Sequence, residues 1–436
     1  MAKKTISPGG NVTGVVELPG DKSVSHRYAI LASLAEGVSE IRNYSSSADC
    51  RSTIECMRKL GIEIDVTPKR VRVVGKGLDG LHAPKRALDA GNSGSTIRML
   101  SGVLAGQNFT STITGDKSLQ RRPMRRVAEP LRQMGADIRA KDGDRAPIEI
   151  HGAKLKALDY TPPIPSAQVK SAILLAGLYA DGVTVVRESV RTRDHTEITL
   201  REMGAHIETS RGEIKIHPRP KLQAHNLIVP GDLSGSVFLI GAALVLPESA
   251  IMLHNVGLNP TRTKVLDFLI SIGASINLAS VQLRDGELIG DVSVRYAPLA
   301  GGTISGPQVA EMIDELPMLA ALGPYTEQGI EIHDAKELRV KESDRIAALS
   351  AGLKAMGAKV EEFPDGMRVE GKSSGKLHGA KVDPQGDHRI AMALAIAALG
   401  TQGDTVIRDS ECVGVSFPEF FKTLEKLRDT ESQPAT

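Results

Sequence analysis

Tryptophan does not occur in this chain, and aromatic residues make up only 3% of its 436 residues. Stacking of nucleic-acid bases on aromatic rings is therefore poorly supplied. Neither sign of charge dominates: 54 lysines and arginines against 52 aspartates and glutamates leave a formal +2. That is too little for a nucleic-acid or membrane-surface binder, so any anion site must arise from local clustering of cations. Cysteine is scarce. Cys50, Cys56 and Cys412 are odd in number and form no CxxC, which argues against a disulfide framework and against a zinc site. Cys50 and Cys56 are expected to pack in or beside a helix. No apolar run reaches the roughly 18 residues of a membrane span. The longest, around Ile390–Leu399, is alanine-rich and reads as a buried helix. The opening MAKKTISPGGNVTG carries no signal-peptide core, so a reducing cytoplasm is the expected compartment. Residues 428–436 are polar and expected to form a flexible tail.

A hydrophobic content of 41% with 43 glycines fits an α/β protein with many turns. One pattern recurs six times: a short polar start runs into an apolar helical stretch that ends at a turn. The starts are Asp21, Gly91, Ser166, Asp232, Asp314 and Asp387, spaced by 70, 75, 66, 82 and 73 residues. A near-fixed period signals a repeated structural unit. Each start is a helix N-terminus, whose free N–H groups and dipole suit anions. Several carry a cation as well: Lys22 and Arg27, Arg98, Lys170, Arg389.

A second element repeats with the first. CMRKLGIEIDV (56–66), PLRQMGADIRA (130–140), TLREMGAHIET (199–209), FLISIGASINL (268–278) and GLKAMGAKVEE (352–362) each end a helix at glycine and start a strand. Alternating segments follow, among them Val71–Val74, Ile148–Ile150, Glu213–Ile216 and Met367–Val369. A unit of about 70 residues thus reads strand–helix–strand–helix–strand–strand. The last helix, 417–427, has no such strand after it. The sixth unit must be completed by the N-terminus, which places strand Asn11–Leu18 beside the C-terminal half. LPGD at 18–21 and VPGD at 229–232 mark crossovers. The expected organisation is one lobe over 21–230 and a second built from 1–20 plus 231–427, with a ligand cleft and a hinge between them.

Candidate chemistry gathers at the helix starts. Asp21 is placed to cap a helix whose first turn holds Lys22 and Ser23. A lysine there opposes the helix dipole unless an anion is bound. Arg27 follows Ser23 by four residues and shares its face. GNSGSTIR (91–98) is a Gly/Ser turn whose backbone amides can approach an anion, but it lacks the GK[ST] ending of a nucleotide loop. GKGLDG (75–80) has glycine spacing without a following helix, so no dinucleotide site is expected. LQRRPMRRV (119–127) packs four arginines suited to carboxylate or phosphate. PSAQVKSA (165–172) offers Ser166, Gln168 and Lys170. His195 and Glu197, two apart on a helix, suit a capping or charge network rather than a metal pair. Asp314 is either a helix cap or a proton-transfer acid. Lys341 and Arg345 are spaced as one helix face, with Glu342 and Asp344 between them. His388 and Arg389 open an otherwise apolar helix.

These motifs, LPGDKS, GNSGS-x-x-R, RP, SAQ, RVKESDR and DHR, in this order from about residue 8 to 427, resemble the EPSP synthase family of enolpyruvyl transferases. The resemblance implies an α/β fold of two lobes, each of three βαβαββ repeats with helices inside and sheets outside, an inside-out α/β barrel. It implies transfer of the enolpyruvyl group of phosphoenolpyruvate to the 5-hydroxyl of shikimate 3-phosphate, releasing phosphate, in aromatic amino-acid biosynthesis. No metal, organic cofactor, nucleic acid or membrane is implied, and a monomer is expected. The family is the target of glyphosate, and SAQ and RDHTE resemble the branch that includes tolerant enzymes. By the same resemblance, Lys22, Ser23 and Arg27 face the shikimate phosphate, Lys22 also reaching phosphoenolpyruvate. Ser166, Ala167 through its backbone, and Gln168 contact phosphate and ring. Gly94, Arg122, Arg345 and Arg389 hold phosphoenolpyruvate, with Gln168 adjoining. Asp314 lies near the 5-hydroxyl beside Lys341, and Glu342 delivers a proton to the methylene carbon.

Val415 and Ser416 precede Phe417-Pro418, where some members carry a lysine, and the glycine turn is GNSGS where many read GNAGT. A sister activity on UDP-N-acetylglucosamine usually goes with a reactive cysteine ahead of an Arg-Pro, and 108–126 contain none. A non-catalytic anion-binding repeat protein is the reading from a different class.

Overall fold

The computed structural model describes residues 2–428, so the tail expected at 428–436 lies outside the described residues except for Arg428, which ends a helix. The chain divides into two compact units with separate apolar cores. The first unit comprises Gly20–Pro230 and Leu283–Glu287. The second comprises the chain through Pro19, Gly231–Gln282 and the chain from Leu288.

The first unit contains three four-stranded sheets of one design. Leu88–Asp89 runs parallel to Thr110–Thr114, which pairs antiparallel with Arg145–His151 and through it with Asp137–Lys141. Asp159–Tyr160, Thr184–Arg187, Glu213–Ile216 and Ile207–Ser210 repeat the order. In the remaining sheet the leading strand comes from the end of the unit: Leu227–Ile228 lies beside Glu36–Arg42, then Arg70–Lys76 and Glu63–Val66. Long strands such as Arg70–Lys76 alternate buried and open residues, so each sheet turns one face to the core.

The second unit follows the same plan. Gly302–Ile304, Ile330–Ile332, Gly366–Val369 and Val360–Phe363 form one sheet. Thr13–Glu17 runs parallel to Ala250–Gly257, which joins Glu287–Arg295 and Ser275–Arg284. The last sheet has three strands: Lys381–Val382, Thr405–Arg408 and, antiparallel, Lys3–Ile6. Sequence reading gave the completing role to Asn11–Leu18. The sixth sheet is in fact finished by Lys3–Ile6, and Thr13–Glu17 opens the fourth. The two segments are separated by Gly9 and Gly10, both at positive φ, so the chain turns between them. Among the described residues no sheet closes on itself into a barrel.

All six apolar stretches are helical. Lys22–Leu34, Gly94–Ala105 and Ala167–Gly177 belong to the first unit, and Leu233–Val245, Leu316–Leu322 and His388–Ala398 to the second. They are buried almost all round because the three of each unit pack on one another as well as on sheets. Gly102 permits one such contact: a Cβ there would stand 2.1 Å from the carbonyl oxygen of Ala172. Asp21, Ser93, Ser166, Asp232 and Asp387 each cap their helix by accepting a first-turn N–H. The fifth helix differs. Glu315 is at its cap position with its side chain bonded to Ser234 and Arg262 rather than to a first-turn amide, and Asp314 is one residue further out, so Asp314 is not at the cap position.

The helices ahead of the repeated glycines also form as read. Gly61, Gly135, Gly204, Gly273 and Gly357 follow them with φ between 90° and 106°, the left-handed stop that glycine takes without strain. Cys50 and Cys56 are buried in Ala48–Lys59, where burial raises each thiol to about 12. Both are inert at neutral pH.

Candidate functional site

In the first unit the polar starts of three buried helices carry most of the predicted residues. Asp21 accepts from the Val24 amide at 2.9 Å and fixes the turn holding Lys22 and Ser23. The Lys22 ammonium lies 3.0 Å from Asp49 Oδ2, and both groups are largely buried. Arg27 is buried. It donates to the Ser23 carbonyl oxygen at 2.8 Å, Thr196 Oγ1 at 2.7 Å and Ser171 Oγ at 3.0 Å. Those are neutral oxygens, and among the described residues no carboxylate lies within ion-pair distance of Arg27. Burial pulls its guanidinium down to about 10, against the raising pull of Glu197, which leaves it charged at neutral pH. A buried, directionally held cation with no ionic partner in contact is suited to an anionic ligand.

Gly94 and Gln168 tie the other two starts together. Ser166 caps Ala167–Gly177 through the Val169 amide at 3.4 Å. Gln168 then accepts from Arg98 at 2.7 Å and donates to Ser95 Oγ at 2.9 Å. Arg122 donates to Asn92 Oδ1 at 2.6 Å. A Cβ on Gly94 would stand 2.6 Å from an Arg98 guanidinium nitrogen and 3.3 Å from one of Arg122. Gly94, Arg98, Arg122 and Gln168 are thus one neighbourhood, and the missing side chain is what admits both guanidiniums.

Lys170 departs from expectation. It is fully buried and paired with Glu188 at 3.0 Å and Glu197 at 2.7 Å. Its position one turn into the helix turns it from the helix start into a charge network, so it is not an anion-binding cation. His195 and Glu197 behave as read. They face different partners, Glu287 at 2.6 Å and Lys170.

In the second unit the predicted residues gather around three carboxylates, Asp314, Glu342 and Asp387. Arg345 is buried. It donates from Nε to Asp387 Oδ2 at 2.8 Å and from Nη2 to Glu342 Oε2 at 2.6 Å, and Nη1 lies 3.5 Å from Asp314 Oδ1. Burial pulls this guanidinium down, but Asp387, Glu342 and Asp314 outweigh it and hold the proton more tightly than usual. Asp314 faces two further cations, Lys341 at 3.9 Å and Arg389 at 3.9 Å, and Arg389 also donates to the Asp314 carbonyl oxygen at 2.7 Å. Asp387 caps its helix through the Arg389 amide and accepts from Ser343 at 3.2 Å.

The helical spacing read into Lys341 and Arg345 is not present. Lys341 ends a short 3-10 helix, Lys336–Val340, with extended ψ, and the α-helix begins only at Arg345, capped by Asp344. The two cations meet at Asp314 through the turn between helices. Val415 ends the 3-10 helix Ser410–Val415. Sequence reading missed Asp49, Asn92, Thr196 and Asp387 as side-chain partners. Asn92 lies in GNSGSTIR, Thr196 in RDHTE and Asp387 before His388 and Arg389, whereas Asp49 lies in none of these motifs.

The sequence model of the EPSP synthase (3-phosphoshikimate 1-carboxyvinyltransferase) family matches residues 6–424. The chain is 54% identical to the 3-phosphoshikimate 1-carboxyvinyltransferase of Solibacter usitatus, over 98% of this chain and 100% of that one. It is 51% identical to that of Koribacter versatilis, over 98% and 99%. A solved EPSP synthase from Acinetobacter baumannii superposes with a TM-score of 0.87 at 39% identity, over 98% of each chain. The enolpyruvyl transferase NikO from Streptomyces tendae has the same fold, with a TM-score of 0.75 at 19% identity over 97% and 96%. With both clusters in place and the match running nearly end to end, this chain belongs to the EPSP synthase family.

Proposed function

We infer that this chain catalyses the reaction of its family: the enolpyruvyl group of phosphoenolpyruvate passes to the 5-hydroxyl of shikimate 3-phosphate, and phosphate leaves. The observation that carries the residue roles is the carboxylate of Asp314 set among Lys341, Arg345 and Arg389.

Addition requires loss of a proton from an alcohol and gain of one at an alkene carbon. Asp314 takes the 5-hydroxyl proton as the oxygen bonds to C2 of phosphoenolpyruvate, with Lys341 at its side. Glu342 delivers a proton to the methylene carbon, which becomes a methyl group. Elimination reverses that transfer: the methyl group returns a proton, the C2–phosphate oxygen bond breaks, and phosphate leaves. The intermediate keeps a carboxylate and a phosphate, so fixed cations must hold it throughout. Lys22, Gly94, Arg122, Gln168, Arg345 and Arg389 serve phosphoenolpyruvate. Lys22, Ser23, Arg27, Ser166, Ala167 and Gln168 hold shikimate 3-phosphate, with Asp314 and Lys341 at its 5-hydroxyl. Arg27 supports this with a charge that meets only neutral oxygens.

The organisation proposed with this function is two lobes, 21–230 and 1–20 with 231–427, each with helices inside and sheets outside, acting as a monomer in the cytoplasm. No helix among the described residues is long and apolar enough to cross a membrane. The test is phosphate release from phosphoenolpyruvate, measured with shikimate 3-phosphate and then with UDP-N-acetylglucosamine. Release is expected with the first alone. Release with the nucleotide sugar alone, or with neither, would overturn the assignment.

A further inference from the structure

We propose that His206, Glu208 and His217 form a surface site for a divalent transition-metal ion of the zinc class. None of the three has a role in the transfer reaction. They lie on one hairpin of the first unit, strands Ile207–Ser210 and Glu213–Ile216, in which Ile207 pairs with Ile216. That register sets His206 opposite His217, and the His217 amide donates to the His206 carbonyl oxygen at 3.1 Å. Glu208 is two residues from His206 and so shares its face of the strand.

The two imidazoles stack with centroids 3.8 Å apart and planes 14° from parallel. Both aim Nε2 at one carboxylate oxygen, Glu208 Oε1, at 3.0 Å from His217 and 3.5 Å from His206. A tetrahedral zinc site with bonds of about 2.0–2.1 Å sets its ligand atoms roughly 3.3 Å apart, which matches both separations. All three ligand atoms lie within 4.8 Å of one another. The side chains are exposed or half-buried, so small rotations complete the approach.

Single histidine–carboxylate pairs recur on this protein: His151 with Glu149 at 2.6 Å, His254 with Asp291 at 3.0 Å, His333 with Glu331 at 2.6 Å. These are ordinary surface pairs. Among the described residues only the His206 group brings three histidine, cysteine or carboxylate ligands together. Stacked imidazoles repel if both are protonated, whereas a metal ion gives each neutral ring a partner, and two imidazoles with one carboxylate suit zinc. The neighbouring cation does not block the place, because Lys215 is drawn to Glu213 at 2.8 Å. The remaining positions on the ion are open to water, and a bound ion would clip the two strands together.

The test is competition for Zn(II) against a chromogenic chelator, using the full chain and its H206A, H217A, E208Q and H151A variants. One equivalent is expected to bind the parent. Affinity should fall at least about tenfold in H206A, H217A and E208Q, and should be unchanged in H151A. Because the substituted side chains lie at the surface, the unliganded variants should melt with the parent. An absence of zinc binding by the parent, or an affinity loss smaller than tenfold in H206A and H217A, would overturn the proposal.

Discussion

Arg345 and Asp387 form a wholly buried ion pair, Nε to Oδ2 at 2.8 Å, between the starts of two successive helix systems. Removing one partner of such a pair leaves an uncompensated charge. Asp387→Ala is expected to cost about 3 kcal/mol of unfolding free energy, the low end of the range, because Glu342 and Asp314 still face Arg345. Combining it with Arg345→Met should cost less than the sum of the two single changes. Denaturant titration of the four proteins measures the difference. Strict additivity would remove the coupling.

Asp314→Ala and Glu342→Ala are expected to lower kcat by about 10²–10⁴-fold each, with much smaller changes in KM for either substrate. Steady-state phosphate release measures both. Near-parental turnover in the two variants would strip those side chains of their proton-transfer roles.

Gly94→Ala adds a methyl group 2.6 Å from the end of the Arg98 side chain and 3.3 Å from that of Arg122. Long side chains can yield where backbone cannot, so the fold should survive, with stability changed by less than about 1 kcal/mol. The displaced guanidiniums should raise KM for phosphoenolpyruvate more than they lower kcat. An unchanged KM would mean that neither arginine meets this substrate.

His26 is buried, accepts or donates one bond at Nδ1 to Thr53 Oγ1 at 2.7 Å, and has Nε2 without a partner among the described residues. Burial, helped by Lys22 and Arg27, holds its pKa well below 6.5. Below pH 6.5 the unfolded chain therefore binds a proton that the folded chain refuses. The stability is fully present above that pH and is lost as pH falls through it. The melting temperature of the parent, followed downward from pH 7, should fall more steeply than that of His26→Gln. Equal slopes would contradict this.

The repeat was open to reading because each copy carries its own boundaries. An oxygen-bearing cap, an apolar run and a left-handed glycine are local chemistry, and they recur at Asp21, Ser93, Ser166, Asp232 and Asp387 and at the five glycines. Partnerships across sequence were much less visible. Asn92 against Arg122, Thr196 against Arg27 and Asp49 against Lys22 join residues 27 to 169 positions apart, with no pattern linking them. Lys170 resembles Lys22 in its local setting, but its neutralising carboxylates come from elsewhere, Glu188 just after the next strand and Glu197 in the next helix. The spacing of Lys341 and Arg345 suggested a helix face, yet the Asp344 cap fixes the helix start only after Lys341.

Lys3–Ile6 lies against Thr405–Arg408. During synthesis the ribosome makes the first of these strands and must build some four hundred more residues before its neighbour exists. Residues 20–230 emerge as an uninterrupted stretch and can mature while the chain is still growing. Lys3–Ile6, with its unsatisfied backbone edge, has to wait until Thr405–Arg408 is made, which leaves it in need of shielding from aggregation in the meantime.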